Sequence, residues 1–161
     1  MFDIDLHIIH YKEPKWMLDN CLASVKDQHV NIYIVNGTKE YPPYKGRIEG
    51  FSRGSAPFMA FVDPDDEVKP EAFERLLEYS AEYDLIYGNE EVIKNGRFFN
   101  IIKSLHHAYI IRRGCVPLAD LTLSFNTMRV ARELKRRIKH VDEVIYTWNA
   151  NVAHAYNGMA K

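Results

Sequence analysis

The sequence predicts an α/β domain whose central sheet is mainly parallel and is flanked by helices and a small hairpin. Three observations carry this prediction. Short apolar runs at residues 6–11 and 31–35 enclose a segment with helical spacing, which is a β-α-β pattern. The continuous apolar run at residues 58–62 is typical of a strand covered on both faces. The pair Asn95-Gly96 lies between apolar runs and favours a tight hairpin turn.

The length and composition indicate one globular domain, which we expect to span residues 1–161. A chain of this size buries roughly 70% of its unfolded surface, so its core needs no disulfide or metal for stability. Hydrophobic residues make up 47% of the chain and charged residues 27%, which are ordinary globular values. Collagen-like, disordered and disulfide-scaffold classes are therefore excluded.

The charge balance and the cysteines narrow the partners and the compartment. Lys and Arg number 21 against 22 Asp and Glu, so a nucleic-acid site has to be a local patch. Cys21 and Cys115 form neither a disulfide framework nor a paired metal motif, which favours a reducing compartment. No apolar run approaches the ~20 residues that span a bilayer. We therefore expect a soluble, cytoplasmic protein.

The first half of the chain begins with a strand at residues 6–11 that stops before Pro14. A helix follows, because its apolar residues recur at helical spacing, and a second strand covers residues 31–35. This order predicts a parallel pair joined by a right-handed crossover. Residues 36–57 are rich in glycine and proline, so we expect mostly loop with one short helix before the strand at 58–62.

The second half alternates helices and strands. Phe73, Leu76 and Leu77 lie at helical spacing and predict an amphipathic helix from residue 70 to about residue 83. Short strands are expected at residues 85–87 and 109–111, with the hairpin between them. A closing strand is expected within residues 141–148.

A last helix is predicted by Val130, Leu134 and Ile138, which share one face at helical spacing. Its opposite face is basic, and by default such a face is simply solvated. It is also the patch that a DNA substrate would contact. The basic residues are Arg129, Arg132, Lys135, Arg136 and Lys139.

An acidic cluster follows the strand at residues 58–62, with four carboxylates among residues 63–67. In open α/β sheets, ligands bind outside the carboxyl ends of the strands. Concentrated negative charge needs a compensating cation, and carboxylate oxygens are hard ligands that suit Mg²⁺ or Mn²⁺. We therefore predict that Asp63 and Asp65 hold a divalent ion.

Two other interpretations of this cluster remain. In the first, the cluster is a solvated turn whose carboxylates merely favour the start of the next helix. In the second, it is a calcium loop, since acids lie at positions 1, 3, 5, 9 and 12 counted from Asp63. The calcium loop is disfavoured because Val68 occupies the sixth position, where an EF-hand turn needs glycine.

Four segments, in order along most of the chain, resemble motifs of the family-two glycosyltransferases, which have the GT-A fold and a D-x-D motif. The resemblance makes this an unusually short member, of a kind that would suit a virus and, in that case, the host cytoplasm. The segments are Ile8-Ile9-His10-Tyr11 with Trp16-Met17-Leu18-Asp19-Asn20-Cys21-Leu22, Tyr33-Ile34-Val35-Asn36-Gly37-Thr38, Arg47-Ile48-Glu49-Gly50, and Ala60-Phe61-Val62-Asp63-Pro64-Asp65-Asp66.

The resemblance implies a nucleotide-diphosphate sugar donor, most simply a UDP-sugar. It places the base and ribose near Tyr11, Asn36 and Arg47, and the diphosphate with Mn²⁺ or Mg²⁺ at Asp63 and Asp65, so that Asp63 contacts both donor and metal. The implied reaction is transfer of the sugar to an acceptor hydroxyl with inversion. A divalent ion would then neutralise the charge that grows on the departing diphosphate.

Further site residues follow from the same resemblance. Inverting members use a carboxylate well after D-x-D as the general base, and Asp120 is the candidate here because it is the one carboxylate between residues 109 and 129. Asp120 equally suits a helix cap or turn. His154 is similar to a terminal histidine that lies near the metal in many members. His106 and His107 precede a strand, where they either meet the acceptor or are ordinary surface or core residues.

Departures from the family motifs keep other functions open. Val35 and Asn36 stand where the family has two aspartates, and Ile48 stands where it has asparagine. A degenerate nucleotide-sugar-fold module for binding or assembly is one alternative. A nucleotidyltransferase is another, although no glycine-rich phosphate loop follows the first strand. For an enzyme with a small acceptor region, we expect a polysaccharide end, a protein or a modified DNA base as acceptor.

Overall fold

The computed structural model describes residues 2–11, 13–36 and 43–150. The strands are β1 Ile4–His10, β2 Asn31–Asn36, β3 Phe58–Val62, β4 Glu67–Val68, β5 Leu85–Lys94, β6 Arg97–Ile102, β7 Tyr109–Arg112 and β8 Ile138–Ala150. The α-helices are α1 Lys15–Val25, α2 Pro43–Ser52, α3 Ala72–Leu77 and α4 Ser124–Glu133, and a 3₁₀ helix covers Leu118–Thr122.

One sheet joins all eight strands in the order β2-β1-β3-β7-β5-β8-β4, with β6 added on β5 as a hairpin. β1 is parallel to both β2 and β3, and β5 is parallel to β8. β7 is antiparallel to its neighbours β3 and β5. Strands β1, β2, β3, β5 and β8 therefore run in one direction, which confirms the predicted α/β class with a mainly parallel sheet.

The core has two layers, one on each face of the sheet. Side chains alternate along a strand, so Phe58, Ala60 and Val62 of β3 face α1 and α3, while Met59 and Phe61 face α2 and α4. All five residues of β3 are buried. This double cover explains why β3 reads as a continuous apolar run rather than an alternating one.

α2 is a ten-residue helix in the segment that we expected to be mostly loop. Its glycines allow close packing on the sheet. A Cβ on Gly46 would lie 2.9 Å from Ile9 Cγ2, and a Cβ on Gly50 would lie 3.3 Å from Val35 Cγ2. In the sequence, these glycines argue against a helix. In the structure, they let α2 approach β1 and β2.

The predicted last helix is shorter than expected, because α4 ends at Glu133 and Ile138 begins β8. Lys135 adopts a left-handed conformation with φ of 54°, and the Arg136 N–H donates to the Ala131 carbonyl at 2.8 Å, which closes the helix. The expected basic helix face is therefore wrong as a single surface. Only Arg129 and Arg132 of that set lie on α4, while Lys139 lies in β8.

The other elements follow the prediction with shifted bounds. The helix expected to reach about residue 83 is α3, which ends at Leu77. The hairpin is confirmed, with Asn95 and Gly96 at φ of 52° and 70°. Across the described residues, no helix is both long and apolar enough to cross a membrane.

Candidate active site at the acidic bend

The acidic cluster at residues 63–67, called here the acidic bend, lies where the first three strands end. Register pairs His10 with Asn36, and Ile8 with Val62, so β1, β2 and β3 finish at the same edge of the sheet. The segments that follow these strands are thereby brought together. This is the edge at which open α/β sheets bind ligands.

A cavity of about 270 Å³ opens beside the acidic bend. It brings together four of the residues that the sequence singled out, namely Tyr11, Arg47, Asp63 and Asp65. Asn36 ends β2 at the same edge and is exposed. The remaining lining residues are Ile9, Glu13, Pro64, Asp66 and Trp148.

Asp63 lies between two basic side chains. Its Oδ1 is 3.6 Å from Nη2 of Arg47, and its Oδ2 is 3.5 Å from Nε2 of His107. The Arg47 guanidinium stacks over the Phe61 ring, with Cζ 3.8 Å from the ring centroid, which holds this cation in place. The Asp63 carboxylate is 30% exposed, so it remains accessible to a ligand.

Asp65 carries the clearest electrostatic signature in the cavity. Burial and the neighbouring negative charge of Asp63 raise its pKa to about 6. Two carboxylates that repel each other in a partly desolvated bend favour a cation between them. A group of side chains that could hold a metal ion lies at the same bend, formed by Asp63, Asp66 and His107, whose ligand atoms all lie within 4.8 Å of one another.

Asp66 has a different task, because its side chain is buried and both of its oxygens are engaged. Oδ2 accepts a hydrogen bond from the Tyr146 hydroxyl at 2.8 Å, and Oδ1 accepts one from the Asn149 N–H at 2.8 Å. Asn149 also donates its side-chain amide to the Asp65 carbonyl at 2.9 Å. These contacts fasten the acidic bend to β8 and fix where Asp63 and Asp65 point.

A Glu-His-His cluster, formed by Glu90, His106 and His107, lies behind Asp63. Glu90 is fully buried, and its Oε2 faces Nδ1 of His106 at 2.9 Å and Nδ1 of His107 at 3.2 Å. Its other oxygen accepts the Ala108 N–H at 2.8 Å. Burial opposes ionisation, but the hydrogen bonds from the two histidines hold the pKa of Glu90 at about 2.

The comparisons with known proteins identify the family. The family model "Glycosyl transferase family 2" matches residues 31–131, which is more than half of the chain. The chain belongs to this family. No curated protein sequence matches the chain.

Solved structures share the fold of this family-2 chain. Staphylococcus aureus TarS superposes with a TM-score of 0.73 at 15% identity, over 92% of this chain and 37% of TarS. TarS 1–349 in complex with UDP gives 0.73 at 15% identity, and the complex with UDP-GlcNAc gives 0.59 at 13%. The match to the UDP complex covers 92% of this chain and 61% of TarS 1–349, and the match to the UDP-GlcNAc complex covers 93% and 59%. At this identity the likeness establishes the GT-A fold.

Two other predicted site residues of this family-2 member do not line the cavity or lie outside the described residues. Asp120 lies in the 3₁₀ helix, where its carbonyl accepts a hydrogen bond from the Thr127 hydroxyl at 3.1 Å. Asp120 is not among the described residues that line the cavity beside the acidic bend. His154 lies outside the described residues.

Sequence reasoning missed Glu90 and Trp148 and left His107 between two roles. The sequence signal for Glu90 was weak. This residue follows the apolar run at residues 85–87, and a carboxylate that is buried next to such a run needs hydrogen-bond partners. Its pairing with His106 and His107 depends on strand β7 lying between β3 and β5, which the sequence pattern does not reveal.

Proposed function

We propose that this chain is a metal-dependent glycosyltransferase that moves a sugar from a UDP-sugar to an acceptor hydroxyl with inversion. The observation that carries the proposal is the convergence of Asp63 and Asp65 with Tyr11 and Arg47 in one cavity at the carboxyl edge of the sheet. The metal set, the donor contacts and the base are part of this proposal.

The cavity supplies complementary chemistry for a nucleotide diphosphate. Tyr11 offers an aromatic face for the base, and Arg47 offers a guanidinium for the phosphate oxygens. Asp63 and Asp65 would hold Mn²⁺ or Mg²⁺, which when bound supplies Lewis-acid stabilisation of the leaving diphosphate. Arg47 is already oriented by Asp63 and by the Phe61 ring, so its charge is positioned before the donor arrives.

Asp120 is our proposed general base, which takes the proton from the acceptor hydroxyl as that oxygen attacks the anomeric carbon. Its 3₁₀ helix packs against α2, the helix that carries Arg47 into the cavity. Donor and base would thereby be positioned through a shared element. Asp120→Asn is expected to lower turnover at least about 100-fold while leaving donor affinity within about twofold.

The test is metal-dependent turnover of a panel of UDP-sugars, read as release of UDP. We expect release with Mn²⁺ that falls at least about 100-fold in Asp65→Asn and is unchanged in Asp27→Asn. Asp27 is the matched control because its carboxylate is 88% exposed on the loop after α1. Equal release by wild type and Asp65→Asn, or release without any divalent ion, would contradict the proposal.

A second candidate is a nucleotide-sugar-binding module without catalytic turnover. It is favoured by the position of Asp120, which does not line the described cavity. Such a module would bind UDP with Mn²⁺ yet release no UDP from any donor, and Asp120→Asn would change nothing. The family match favours both of these candidates over a nucleotidyltransferase.

The acceptor proposals retain a polysaccharide end, a protein or a modified DNA base, and the DNA case has a direct test. Arg132 is suited to charge reversal because it lies on α4. Arg136 is unsuited, since its Nε donates to the Cys115 carbonyl at 2.7 Å and reversal would disturb the fold. DNA as acceptor predicts salt-dependent retention that Arg132→Glu weakens, whereas retention that ignores salt and Arg132 would point to the other classes.

A further inference from the structure

We propose that His107 is a protein ligand of the divalent ion proposed at Asp63, and that Glu90 is the residue that orients it. This inference rests on the proposed function, because it concerns the same metal site. It adds a nitrogen donor from the segment just before β7, a position that the D-x-D resemblance does not assign.

The distance between His107 and Asp63 suits a shared ion. Nε2 of His107 lies 3.5 Å from Oδ2 of Asp63, and ligand atoms of Asp63, Asp66 and His107 all lie within 4.8 Å of one another. Two ligands with bonds of about 2.1 Å to one ion lie about 3.0 Å apart at right angles and about 3.4 Å apart in a tetrahedral arrangement. The observed separation is therefore close to what a shared ion requires.

The other acid in that group, Asp66, is engaged elsewhere. Asp66 already accepts hydrogen bonds from the Tyr146 hydroxyl and from the Asn149 N–H, one on each oxygen. Its carboxylate is committed to holding the acidic bend on β8. Asp63 is 30% exposed and retains room for an ion, so the pair that shares the ion at this position is Asp63 with His107.

Packing and hydrogen bonding hold the His107 ring in one orientation. Its side chain is only 10% exposed, and its ring lies against the rings of Tyr146 at 5.5 Å and Phe61 at 6.1 Å. Nδ1 faces Oε2 of the fully buried Glu90 at 3.2 Å. Glu90 accepts a hydrogen bond from the Nδ1–H, which leaves the Nε2 lone pair directed at Asp63. A carboxylate behind a ligating histidine is the usual second-shell arrangement in metal sites.

His106 does not fill the same role, although it also contacts Glu90. Its Nδ1 lies 2.9 Å from Oε2 of Glu90, but it has no contact with Asp63 among the interactions of the described residues. The two imidazoles therefore share one carboxylate, and only His107 reaches from it to the acidic bend. This geometry makes His106 a matched comparison for the role of His107.

The test is pulsed electron paramagnetic resonance of Mn²⁺ bound to the full chain with UDP, which detects nitrogen and phosphorus nuclei close to the ion. We expect nitrogen modulation in the wild type that disappears in His107→Asn and persists in His154→Gln and in His29→Gln. His29 is the surface control, with a side chain that is 80% exposed. Asparagine keeps a donor near the position of Nδ1 and removes Nε2, and an unchanged thermal melt confirms that the variant is folded.

Affinity supplies a second readout. His107→Asn should weaken Mn²⁺ binding at least about 10-fold, and should weaken Mg²⁺ binding less, because imidazole favours transition metals over magnesium. Glu90→Gln should weaken Mn²⁺ binding about 10-fold while nitrogen modulation persists, since Glu90 positions His107 and does not touch the ion. Loss of Mn²⁺ and Mg²⁺ affinity to the same extent in His107→Asn would contradict a ligand role.

The outcomes separate this inference from the proposed function. Phosphorus modulation without nitrogen modulation in the wild type, or nitrogen modulation that survives His107→Asn or is lost only in His154→Gln, would overturn the role of His107 and leave the metal–diphosphate site standing. Absence of bound Mn²⁺ altogether would overturn both. Nitrogen and phosphorus modulation together, with nitrogen lost only in His107→Asn, is the result we expect.

Discussion

Neighbouring carboxylates in the acidic bend have separate tasks because their surroundings differ. Asp63, Asp65 and Asp66 all line the cavity, but both oxygens of Asp66 accept hydrogen bonds, from Tyr146 and from Asn149. Burial and the adjacent acids Asp63 and Asp65 raise the pKa of Asp66 well above its ordinary value. The bend therefore combines two carboxylates that repel each other with a buried acid that holds them in place.

Asp65→Asn is expected to stabilise the metal-free protein while it removes metal binding. The pKa of Asp65 is raised from 3.8 to about 6, so the folded protein retains a proton that the unfolded chain has released. Its contribution to the free energy of unfolding thus falls as pH rises between those two values. At pH 7 we expect a gain of about 1 kcal/mol after solvent screening, or about 2–4 °C in Tm.

The measurement is a pair of thermal melts with EDTA, at pH 4 and at pH 7, compared between wild type and Asp65→Asn. The two proteins should differ more at pH 7 than at pH 4. Added Mn²⁺ should raise the Tm of the wild type only. A variant that is less stable at pH 7 would show that Asp65 is held by favourable contacts rather than by repulsion.

Tyr146→Phe tests the link between the acidic bend and β8. The hydroxyl donates to Asp66 and accepts the Asp63 N–H at 3.3 Å, so its removal leaves two buried groups without that partner. We expect a loss of about 1–3 kcal/mol in the free energy of unfolding and weaker Mn²⁺ binding. Urea unfolding and calorimetry check it, with Tyr33→Phe on the far strand β2 as control; equal effects of the two variants would contradict the link.

At residue level, the sequence predicted those members of the site that follow strands directly. Asp63 and Asp65 come after a strand with an unmistakable apolar run, so their position at the edge of the sheet could be anticipated. Glu90 and His107 could not be paired in this way. They meet because β5 and β7 are antiparallel neighbours, with Tyr87 opposite Tyr109, and this register depends on tertiary packing.

At the level of elements, the parallel pair β5 and β8 carries both Glu90 and the residues that hold the acidic bend. Its register shifts between Tyr87 and Asn89, where Gly88 lies. A Cβ on Gly88 would lie 2.6 Å from Cγ1 of Ile145 and 3.1 Å from the Glu143 carbonyl. The close approach of the two strands therefore depends on glycine at this point.

Gly88→Ala is expected to disturb the site from a distance. The added methyl group would push Ile145 away, and the neighbouring Tyr146 would move with it, so we expect about 1–3 kcal/mol lower stability and several-fold weaker Mn²⁺ binding. Gly114→Ala is the control for glycine loss, since nothing lies within 4 Å of its added Cβ although its φ of 79° adds local strain. Loss of stability with unchanged Mn²⁺ affinity would show that the strands and the site are not coupled.

Bounds of elements were harder to predict than their order. The sequence suggested one helix through residue 138, because Val130, Leu134 and Ile138 share a helical face. The chain instead closes α4 at Glu133, using a left-handed lysine where most helices use glycine, so no sequence signal marked the end. The sequence concealed α2 for the opposite reason. Its glycines suggest a loop, although in the structure they allow the helix to pack closely on the sheet.

For the whole molecule, the cavity and a buried network of hydrogen bonds lie at opposite ends of β1. The carboxyl end leads to the cavity, whereas Asp5 near the amino end is fully buried and ties separate segments together. Its Oδ2 accepts hydrogen bonds from Arg113 at 2.6 Å and from the Ala56 N–H at 2.8 Å, and its Oδ1 accepts one from Asn31 at 2.9 Å. These contacts join β1, β2 and the loop after β7.

Asp5→Asn should therefore lower stability without touching the site. Removing one partner of a buried ion pair costs about 3 kcal/mol or more, because the Arg113 charge loses its compensation. We expect a lower midpoint in urea and a Kd for Mn²⁺ within about twofold of wild type at a temperature where the variant is folded. A large change in Kd would mean that the two ends of the sheet are coupled.

The central claim is that the acidic bend binds a nucleotide diphosphate through a divalent ion. Its most direct test is isothermal titration of UDP into wild type and Asp65→Asn, with Mn²⁺ and with EDTA. We predict binding by the wild type with Mn²⁺, at least about 10-fold weaker binding with EDTA, and no rescue of Asp65→Asn by Mn²⁺. UDP binding of equal strength in all four titrations, or in none of them, would contradict the account.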